Sequence, residues 1–239
     1  MTVDTPTITR APLWRRALAE FLGTGLLVTV VVGSGIAAQR LSTDTGLQLL
    51  ENSIATALGL GVLILLFAPV SEADFNPVVS LADFVLGRTS RTGLTGAALG
   101  VYIAAQVAGG VSGAILANTM FATPTAISTT DRATPATLLA EIVATAGLVL
   151  LIIGLTRIRR TIPVIAAAVG SYIGAAYWFT SSTSFANPAV AVGRVFTDTF
   201  AGIAPASVLP FIGAQLIGAA LGTGLAVVLF AKAEPARHH

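Results

Sequence analysis

Long apolar runs that contain no Asp, Glu, Lys or Arg follow one another along most of the chain. A helix needs about 20 mostly apolar residues to cross roughly 30 Å of hydrocarbon. The runs span residues 21–39, 52–71, 92–130, 142–156, 161–193 and 199–231. The fourth run is long enough if its helix begins before Glu141, near Pro135, and the third and fifth must also contain loop. The pattern therefore predicts an all-α protein with six membrane helices.

Composition supports a membrane protein and excludes several functions. Of the 239 residues, 54% are hydrophobic and only 10% are charged, whereas soluble domains carry about 25% charged residues. The chain has no Cys and its two His residues are the last two, so neither a disulfide, nor a metal centre, nor a cofactor is predicted. An intramembrane hydrolase would need a Ser–His pair, paired Asp residues or a metal. We therefore expect no enzyme, and the absence of a dense basic run argues against nucleic acid as a partner.

The distribution of Lys and Arg predicts the orientation in the bilayer. With six crossings, one side of the membrane receives both termini and ten of the thirteen basic residues. These ten are Arg10, Arg15, Arg16, Arg88, Arg91, Arg157, Arg159, Arg160, Lys232 and Arg237, and the other three are Arg40, Arg132 and Arg194. Because cytoplasmic loops carry the excess of basic residues, both termini are expected in the cytoplasm. The short loops favour the inner membrane of a bacterium.

Three elements of the first half recur in the second half. They are Ala19-Glu20-Phe21 with Ala140-Glu141-Ile142, Asn76-Pro77-Val78 with Asn187-Pro188-Ala189, and Gln106 with Gln215, at offsets of 121, 111 and 109 residues. Each half contains three crossings, an odd number, so the halves have opposite orientations. Transport proteins built in this way hold their site at the interface between the repeats.

These recurrences divide the single domain, residues 1–239, into two repeats. We assign residues 12–120 to the first repeat, 121–135 to a connecting loop and 136–231 to the second repeat. Residues 232–239 are expected to be a tail that ends in the remnant of a purification tag.

Each Asn-Pro pair lies between complete crossings and precedes a short apolar run. Asn is a favoured N-cap and Pro fits the first helical position, so residues 78–86 and 189–196 are predicted half-helices that begin inside the membrane. Half-helices that enter from opposite sides would meet at their N-termini, where positive potential repels cations and protons. The amides of Asn76 and Asn187 would then face a passing solute. The alternative is a pair of unrelated turns.

The sequences SEADFNPVVSLA (71–82) and TSFANPAVAVG (183–193), together with the repeated Ala-Glu and Gln elements, resemble the aquaporin, or major intrinsic protein, family. The resemblance extends over roughly residues 17–229. It implies six membrane helices plus two re-entrant half-helices in a 3+3 inverted repeat. It also implies a homotetramer in the lipid bilayer with one pore in each subunit. Glu20 and Glu141 correspond to the glutamates that brace the re-entrant loops by accepting backbone N–H bonds. The alternative for each is an interfacial side chain near the end of its helix.

The resemblance also locates a constriction, at which this chain departs from the water-selective members. Those members have Arg directly after the second Asn-Pro-Ala, and this chain has Val190. Ungapped counting from the two Asn residues assigns the other constriction positions to Thr56, Ala175 and Ser184. A two-residue gap would place the first of these at Leu58 instead of Thr56. In addition, the first motif is Asn-Pro-Val, and Asp74 stands where the family usually has His.

A small, uncharged ring of this kind resembles that of bacterial members that conduct arsenite and related neutral metalloid hydroxides. We therefore expect a passive channel for small neutral solutes, foremost metalloid hydroxides or methylated arsenicals, with glycerol-like solutes and some water. A water-selective channel and a secondary transporter of inverted-repeat architecture are the alternatives.

Arg194 lies four residues after Val190, on the same face of the predicted half-helix. Its guanidinium would reach back from the outer mouth toward the constriction, in part replacing the missing Arg. In the alternative it faces outer water and pairs with Asp198.

Overall fold

The computed structural model describes residues 10–90 and 93–230, without the side chains of residues 89 and 90. Arg91, Lys232, Arg237 and the predicted tail, residues 232–239, lie outside the described residues. Within them, all regular structure is helical.

Six helices of the described chain are long and apolar enough to cross a membrane, as predicted. They are α1 (Leu13–Leu41), α2 (Thr45–Ser71), α4 (Gly96–Met120), α5 (Pro135–Arg157), α6 (Ile162–Phe179) and α8 (Pro205–Leu229). Two shorter helices follow the Asn-Pro motifs: α3 (Pro77–Ser90), and α7 (Pro188–Gly193), which continues as a 3-10 helix (Arg194–Phe196). The fourth crossing does begin at Pro135, and α3 extends four residues beyond the predicted end at residue 86.

Local capping explains where several of these helices begin. The side chains of Asp44 and Thr95 accept hydrogen bonds from the N–H groups of Leu47 and Ala98, at 2.8 and 3.2 Å. Thr134 forms a capping box with Thr137 and precedes Pro135, which occupies the first turn of α5. These caps satisfy N–H groups that the helix itself leaves without partners.

Glycines bring the two helices of each repeat pair into close contact. A Cβ atom at Gly109 or Gly113 of α4 would overlap carbonyl oxygens of α1, and one at Gly218 or Gly222 of α8 would overlap carbonyl oxygens of α5. Helix axes can approach this closely only where side chains are absent, as in small-residue packing between membrane helices. The pairs α1–α4 and α5–α8 are therefore equivalent elements of the two repeats.

The two short helices enter the bundle from opposite sides. We call the side on which α1 begins the N-terminal side and the other the far side. The loop after α2 enters from the N-terminal side and leads into α3, and the loop after α6 enters from the far side and leads into α7. This is the inverted 3+3 arrangement that the repeat predicts.

The connecting loop, residues 121–134, lies over the far side of the second re-entrant segment. The N–H of Ser128 donates to the carbonyl of Val195 at 2.8 Å, and the N–H of Ala204 donates to the carbonyl of Thr130 at 2.7 Å. Arg132 adds bonds from Nε to Gly202 and from Nη2 to the carbonyl of Phe200, at 2.6 and 2.8 Å. The loop thus holds the backbone that surrounds the far mouth of the bundle.

Candidate functional site

The two Asn-Pro motifs meet in the middle of the bundle through reciprocal hydrogen bonds. Asn76 Nδ2 donates to the carbonyl of Ala186, and Asn187 Nδ2 donates to the carbonyl of Phe75, both at 2.8 Å. Each asparagine therefore fixes the loop that precedes the other motif. One of the two N–H groups of each amide is used in this way, so each retains at most one N–H for a solute.

The carbonyl oxygens of the same amides cap the two short helices. Asn187 Oδ1 accepts from the N–H groups of Ala189 and Val190, at 2.9 and 3.3 Å. Asn76 Oδ1 accepts from the N–H of Val78 at 3.1 Å. Pro188 occupies the first turn of α7, and Pro77 is the first residue of α3. The N-termini of both helices thus lie at the meeting point.

Val78 and Ala189 themselves face protein. Val78 is 1% exposed and belongs to a hydrophobic cluster with Val149 and Ala219, from α5 and α8. Ala189 is fully buried, and its carbonyl lies close to Gly110 of α4. The change from Asn-Pro-Ala to Asn-Pro-Val therefore alters packing beside the cavity rather than the cavity wall.

Glu20 binds the first re-entrant loop through both carboxylate oxygens. Oε1 accepts from the hydroxyl of Ser71 and the N–H of Asp74, at 2.6 and 3.2 Å. Oε2 accepts from the N–H of Phe75 and from Nε2 of Gln106, both at 2.7 Å. A carboxylate buried among protein groups is stabilised only when it is partnered in this way.

Glu141 repeats this pattern in the second half. Oε1 accepts from the hydroxyl of Ser182 and the N–H of Phe185, at 2.7 and 2.9 Å. Oε2 accepts from the N–H of Ala186 and from Nε2 of Gln215, at 2.8 and 2.7 Å. Both carboxylates thus have four donors each, which leaves them poorly suited to the coupling-ion site that a secondary transporter would need.

The bracing matters because the loops adopt left-handed backbone without glycine. Positive φ angles occur at Glu72, Ala73 and Phe75 in the first loop, and at the equivalent residues Thr183, Ser184 and Ala186 in the second. Each such residue costs about 1–2 kcal/mol. Sequence reasoning missed this feature, because glycine, which usually marks such positions, is absent from both loops.

A cavity runs past the two asparagines and connects toward both sides. It has a volume of about 90 Å³. It shares Glu72 and Asp74 with a cavity of about 460 Å³ on the N-terminal side, and Arg194 with one of about 420 Å³ on the far side. Its polar lining consists of Thr56, Glu72, Asp74, Asn76, Tyr177, Ser184, Asn187 and Arg194, and most of the remainder is aliphatic. A small cavity between two wider mouths is the shape that a permeation path needs.

Three of the four predicted constriction residues line this cavity. Thr56, Ser184 and Val190 are each at most 5% exposed and face it together. The hydroxyl oxygen of Ser184 is buried and has no hydrogen-bond partner among the described residues, so it is available to a solute.

The prediction for Ala175 is wrong. Ala175 lies on the exposed outer face of α6 and does not line the cavity. The lining residues of α6 are Ile165, Val169, Ile173 and Tyr177, spaced four residues apart, and a residue two positions away points about 200° around the helix. Tyr177 takes the wall position, and its hydroxyl lies 3.1 Å from Thr56 Oγ1. The four-residue spacing in the sequence is the signal that identifies it.

Arg194 lies at the far end of the cavity. It is 3% exposed, its Nε donates to the carbonyl of Ala201, and its guanidinium carbon lies 3.5 Å from the ring centre of Phe185. The alternative pairing with Asp198 is not formed, because Asp198 accepts from the N–H and the hydroxyl of Thr129, at 2.9 and 3.1 Å. Neither Nη atom of Arg194 has a hydrogen-bond partner in residues 10–90 and 93–230.

Comparisons with known proteins agree with this geometry. The family model described as Major intrinsic protein matches residues 7–184. The chain is 48% identical over 225 residues to aquaglyceroporin AqpS of Rhizobium meliloti, which covers 93% of each protein. It is 38% identical over 121 residues to the glycerol uptake facilitator protein of Pseudomonas aeruginosa, covering 51% of this chain and 40% of that protein.

Among solved structures, the aquaglyceroporin from Plasmodium falciparum superimposes with a TM-score of 0.67 over 93% of this chain and 97% of that chain. At 20% identity, this likeness bears on the fold alone. Together with the family match, the inverted repeat and the two meeting Asn-Pro helices identify the chain as a member of the major intrinsic protein family, whose aquaglyceroporins are channels and not enzymes.

Proposed function

We propose that the protein is a passive channel for small neutral solutes, and that neutral metalloid hydroxides such as arsenous acid, or methylated arsenicals, are foremost among them. Glycerol-like solutes and some water would pass through the same path. The observation that carries the proposal is Val190, an apolar side chain of the cavity wall that stands where water-selective members have Arg.

The wall opposite Val190 supplies few fixed hydrogen bonds. The hydroxyls of Thr56 and Tyr177 bond to each other, which leaves Ser184 Oγ as a free polar atom beside them. A solute with several hydroxyl groups therefore exchanges water for a few polar atoms and much aliphatic surface. Neutral solutes larger than water can meet that desolvation requirement, whereas ions cannot.

The relatives support a solute channel of this class. One is named an aquaglyceroporin and another a glycerol uptake facilitator. We extend solute conduction, which those names indicate, to this chain because its constriction contains Thr56, Ser184 and Val190. It lacks the Arg that water-selective members have there.

Arg194 is proposed to exclude cations at the outer mouth. Its positive charge adds to that of the two half-helix N-termini at Asn76 and Asn187. Arg194 lines both the small cavity and the wider cavity on the far side, where its unbonded Nη groups would also orient a solute oxygen.

The membrane setting is likewise proposed from the charge distribution and from the family. We infer a homotetramer with one path in each subunit, in a bacterial inner membrane and with both termini in the cytoplasm. The predicted excess of basic residues on the N-terminal side supports that orientation.

Stopped-flow light scattering on proteoliposomes tests the proposal, with water, glycerol and arsenous acid compared in the same preparation. We expect all three to pass, with solute flux well above that of empty vesicles. Val190→Arg should cut solute flux more than water flux, and Val190→Leu controls for bulk without charge. Water flux alone in the unmodified protein would support a water-selective channel instead. Solute flux that survives Val190→Arg would show that Val190 is not at the constriction.

A further inference from the structure

Two charged side chains line the small cavity at its opposite ends, and they do not pair with each other. The charged residues of its lining are Glu72, Asp74 and Arg194. Glu72 is half exposed and forms an ion pair with Arg10 at 2.9 Å. Asp74 toward the N-terminal side and Arg194 at the far end are therefore the charges that a solute meets inside.

A chain of hydrogen bonds fixes the carboxylate of Asp74. Gln106 Nε2 donates to Ser80 Oγ at 3.0 Å, and Ser80 Oγ donates to Asp74 Oδ2 at 2.7 Å. Because Gln106 also donates to Glu20, its amide and the Ser80 hydroxyl are held in one orientation. Asp74 Oδ1 accepts no hydrogen bond from the part of the chain that the structure describes. Asp74 also lines the wider cavity on the N-terminal side, so its carboxylate lies at the junction of the two.

The loop architecture does not require this carboxylate. In the second loop the position equivalent to Asp74 is Phe185, whose N–H makes the same bond to its bracing glutamate. The equivalent of Ser80 is Ala191, so the second repeat lacks the hydroxyl that fixes the carboxylate. The first loop therefore carries the carboxylate of Asp74, and the hydroxyl of Ser80 that binds it, although the loop fold does not require either group.

The asymmetry extends along the whole path. The position in the first repeat equivalent to Arg194 is Asp83, which lines the wider cavity on the N-terminal side. Arg132 stands near Arg194 on the far side, with its guanidinium carbon 5.4 Å from the ring centre of Phe185. Each mouth also has a residue of the opposite charge, and that residue is hydrogen-bonded to other protein groups. On the N-terminal side Arg157 donates to the carbonyl of Phe230, and on the far side Asp198 accepts from the N–H of Thr129.

A carboxylate beside the N-terminus of α3 offsets part of the positive potential that the half-helix would otherwise supply. It would thus attract cations into the path from the N-terminal side unless a positive charge opposed it. Resting on the proposed solute channel, we propose that Asp74 is a specificity-determining residue: its carboxylate accepts hydroxyl groups of neutral polyhydroxy solutes, and its charge makes the guanidinium of Arg194 necessary for excluding cations.

A four-variant cycle tests this pairing through the decay of a K⁺ gradient in proteoliposomes. Arg194→Gln removes the positive charge that opposes Asp74. We expect cation leak to rise about tenfold, which is the effect of one unit charge acting over about 12 Å at an effective dielectric constant of about 20. Asp74→Asn alone should not raise the leak. The double variant Asp74→Asn with Arg194→Gln should return the leak to nearly the unmodified level.

Two controls keep the cycle interpretable. Arg194→Lys keeps the charge but loses the geometry of the Nε bond to Ala201, so it should remain cation-tight. Glu72→Gln removes a carboxylate that is already paired, and should not suppress the leak of Arg194→Gln. If the double variant leaks as much as Arg194→Gln alone, or if Arg194→Gln does not leak, the proposal is overturned.

The hydroxyl-accepting role is measured in the same vesicles. Asp74→Asn should lower glycerol flux severalfold relative to water flux, because an amide offers a weaker acceptor than a carboxylate. An unchanged ratio would contradict this role. The cation cycle needs no neutral-solute flux, so a protein that conducts water alone would overturn the proposed function and leave the charge pairing to be judged on its own result.

Discussion

The hydroxyl oxygens of Thr56 and Tyr177 lie 3.1 Å apart and join α2 to α6 across the wall of the small cavity. Both side chains are buried and line the cavity beside Val190. The bond holds the tyrosine ring in a fixed position, so the width of the path at this level depends on the ring. It also occupies one of the two O–H donors, so that only one hydroxyl hydrogen of the pair remains for a solute.

The first prediction concerns that ring. Tyr177→Ala should raise the flux of neutral solutes larger than glycerol, because the cavity gains the volume of the ring. Stopped-flow swelling with a series of linear polyols measures this as a shift of the size cut-off toward longer polyols.

The matched control is Ala175→Leu, which adds bulk to the same helix on its exposed face. We expect its polyol flux to equal that of the unmodified protein. If Ala175→Leu reduced the flux and Tyr177→Ala left the size cut-off unchanged, Ala175 would be the constriction residue of α6, as ungapped counting predicted. That result would contradict the structure.

The second prediction concerns the bracing carboxylates. Glu141→Gln exchanges an acceptor of four hydrogen bonds for a group that must turn an N–H toward a donor. Each bond to a charged group contributes about 1.5–3 kcal/mol, and the loop that is released contains three strained residues. We expect a lower thermal unfolding midpoint in detergent and a loss of most solute flux.

Glu20→Gln should act in the same way, since Glu20 has an equivalent set of donors. Glu51→Gln, near the start of α2, is the control: its side chain has no hydrogen bond to either loop among the described residues, so the variant should unfold like the unmodified protein. If Glu141→Gln is as stable as this control, the carboxylate is not what holds the loop.

The third prediction concerns helix packing. Gly113→Val in α4 and Gly222→Val in α8 should prevent folding, because even the first carbon of the new side chain overlaps a carbonyl of the neighbouring helix. Gly100→Ala and Gly224→Ala serve as controls, since the space around their positions is open. Size-exclusion profiles of the purified variants report the difference, and a monodisperse Gly113→Val would contradict the close contact of α1 and α4.

The fold could be predicted from the sequence because its strongest determinants are local. Runs without charge fix the crossings, and Asn-Pro fixes the start of a helix wherever it stands between two crossings. The pairing of Glu20 with the first loop was accessible only through the resemblance, since nothing in the spacing from Glu20 to Phe75 brings them together.

The residues of the cavity wall were harder to predict from the sequence, because they depend on the rotation of each helix about its axis. Counting back from Asn187 assumes a loop of family length, and an error of two residues turns the chosen side chain outward, as at Ala175. The left-handed residues were hidden for a different reason: Phe75 and Ala186 adopt positive φ while their N–H groups donate to Glu20 and Glu141, against their local preference.

The final prediction separates the two duties of the second asparagine. Asn187→Asp keeps an oxygen to cap α7, so the helix should still form, but it loses the N–H that reaches the carbonyl of Phe75. It also adds a negative charge at the point where the helix N-termini meet. Asn187→Ala removes the cap as well, at a cost of about 1 kcal/mol. We therefore expect both variants to lower the unfolding temperature, and Asn187→Asp to show the greater cation leak. Equal leaks would mean that the potential at this meeting point does not govern ion exclusion, and that the barrier is set by the aliphatic wall alone.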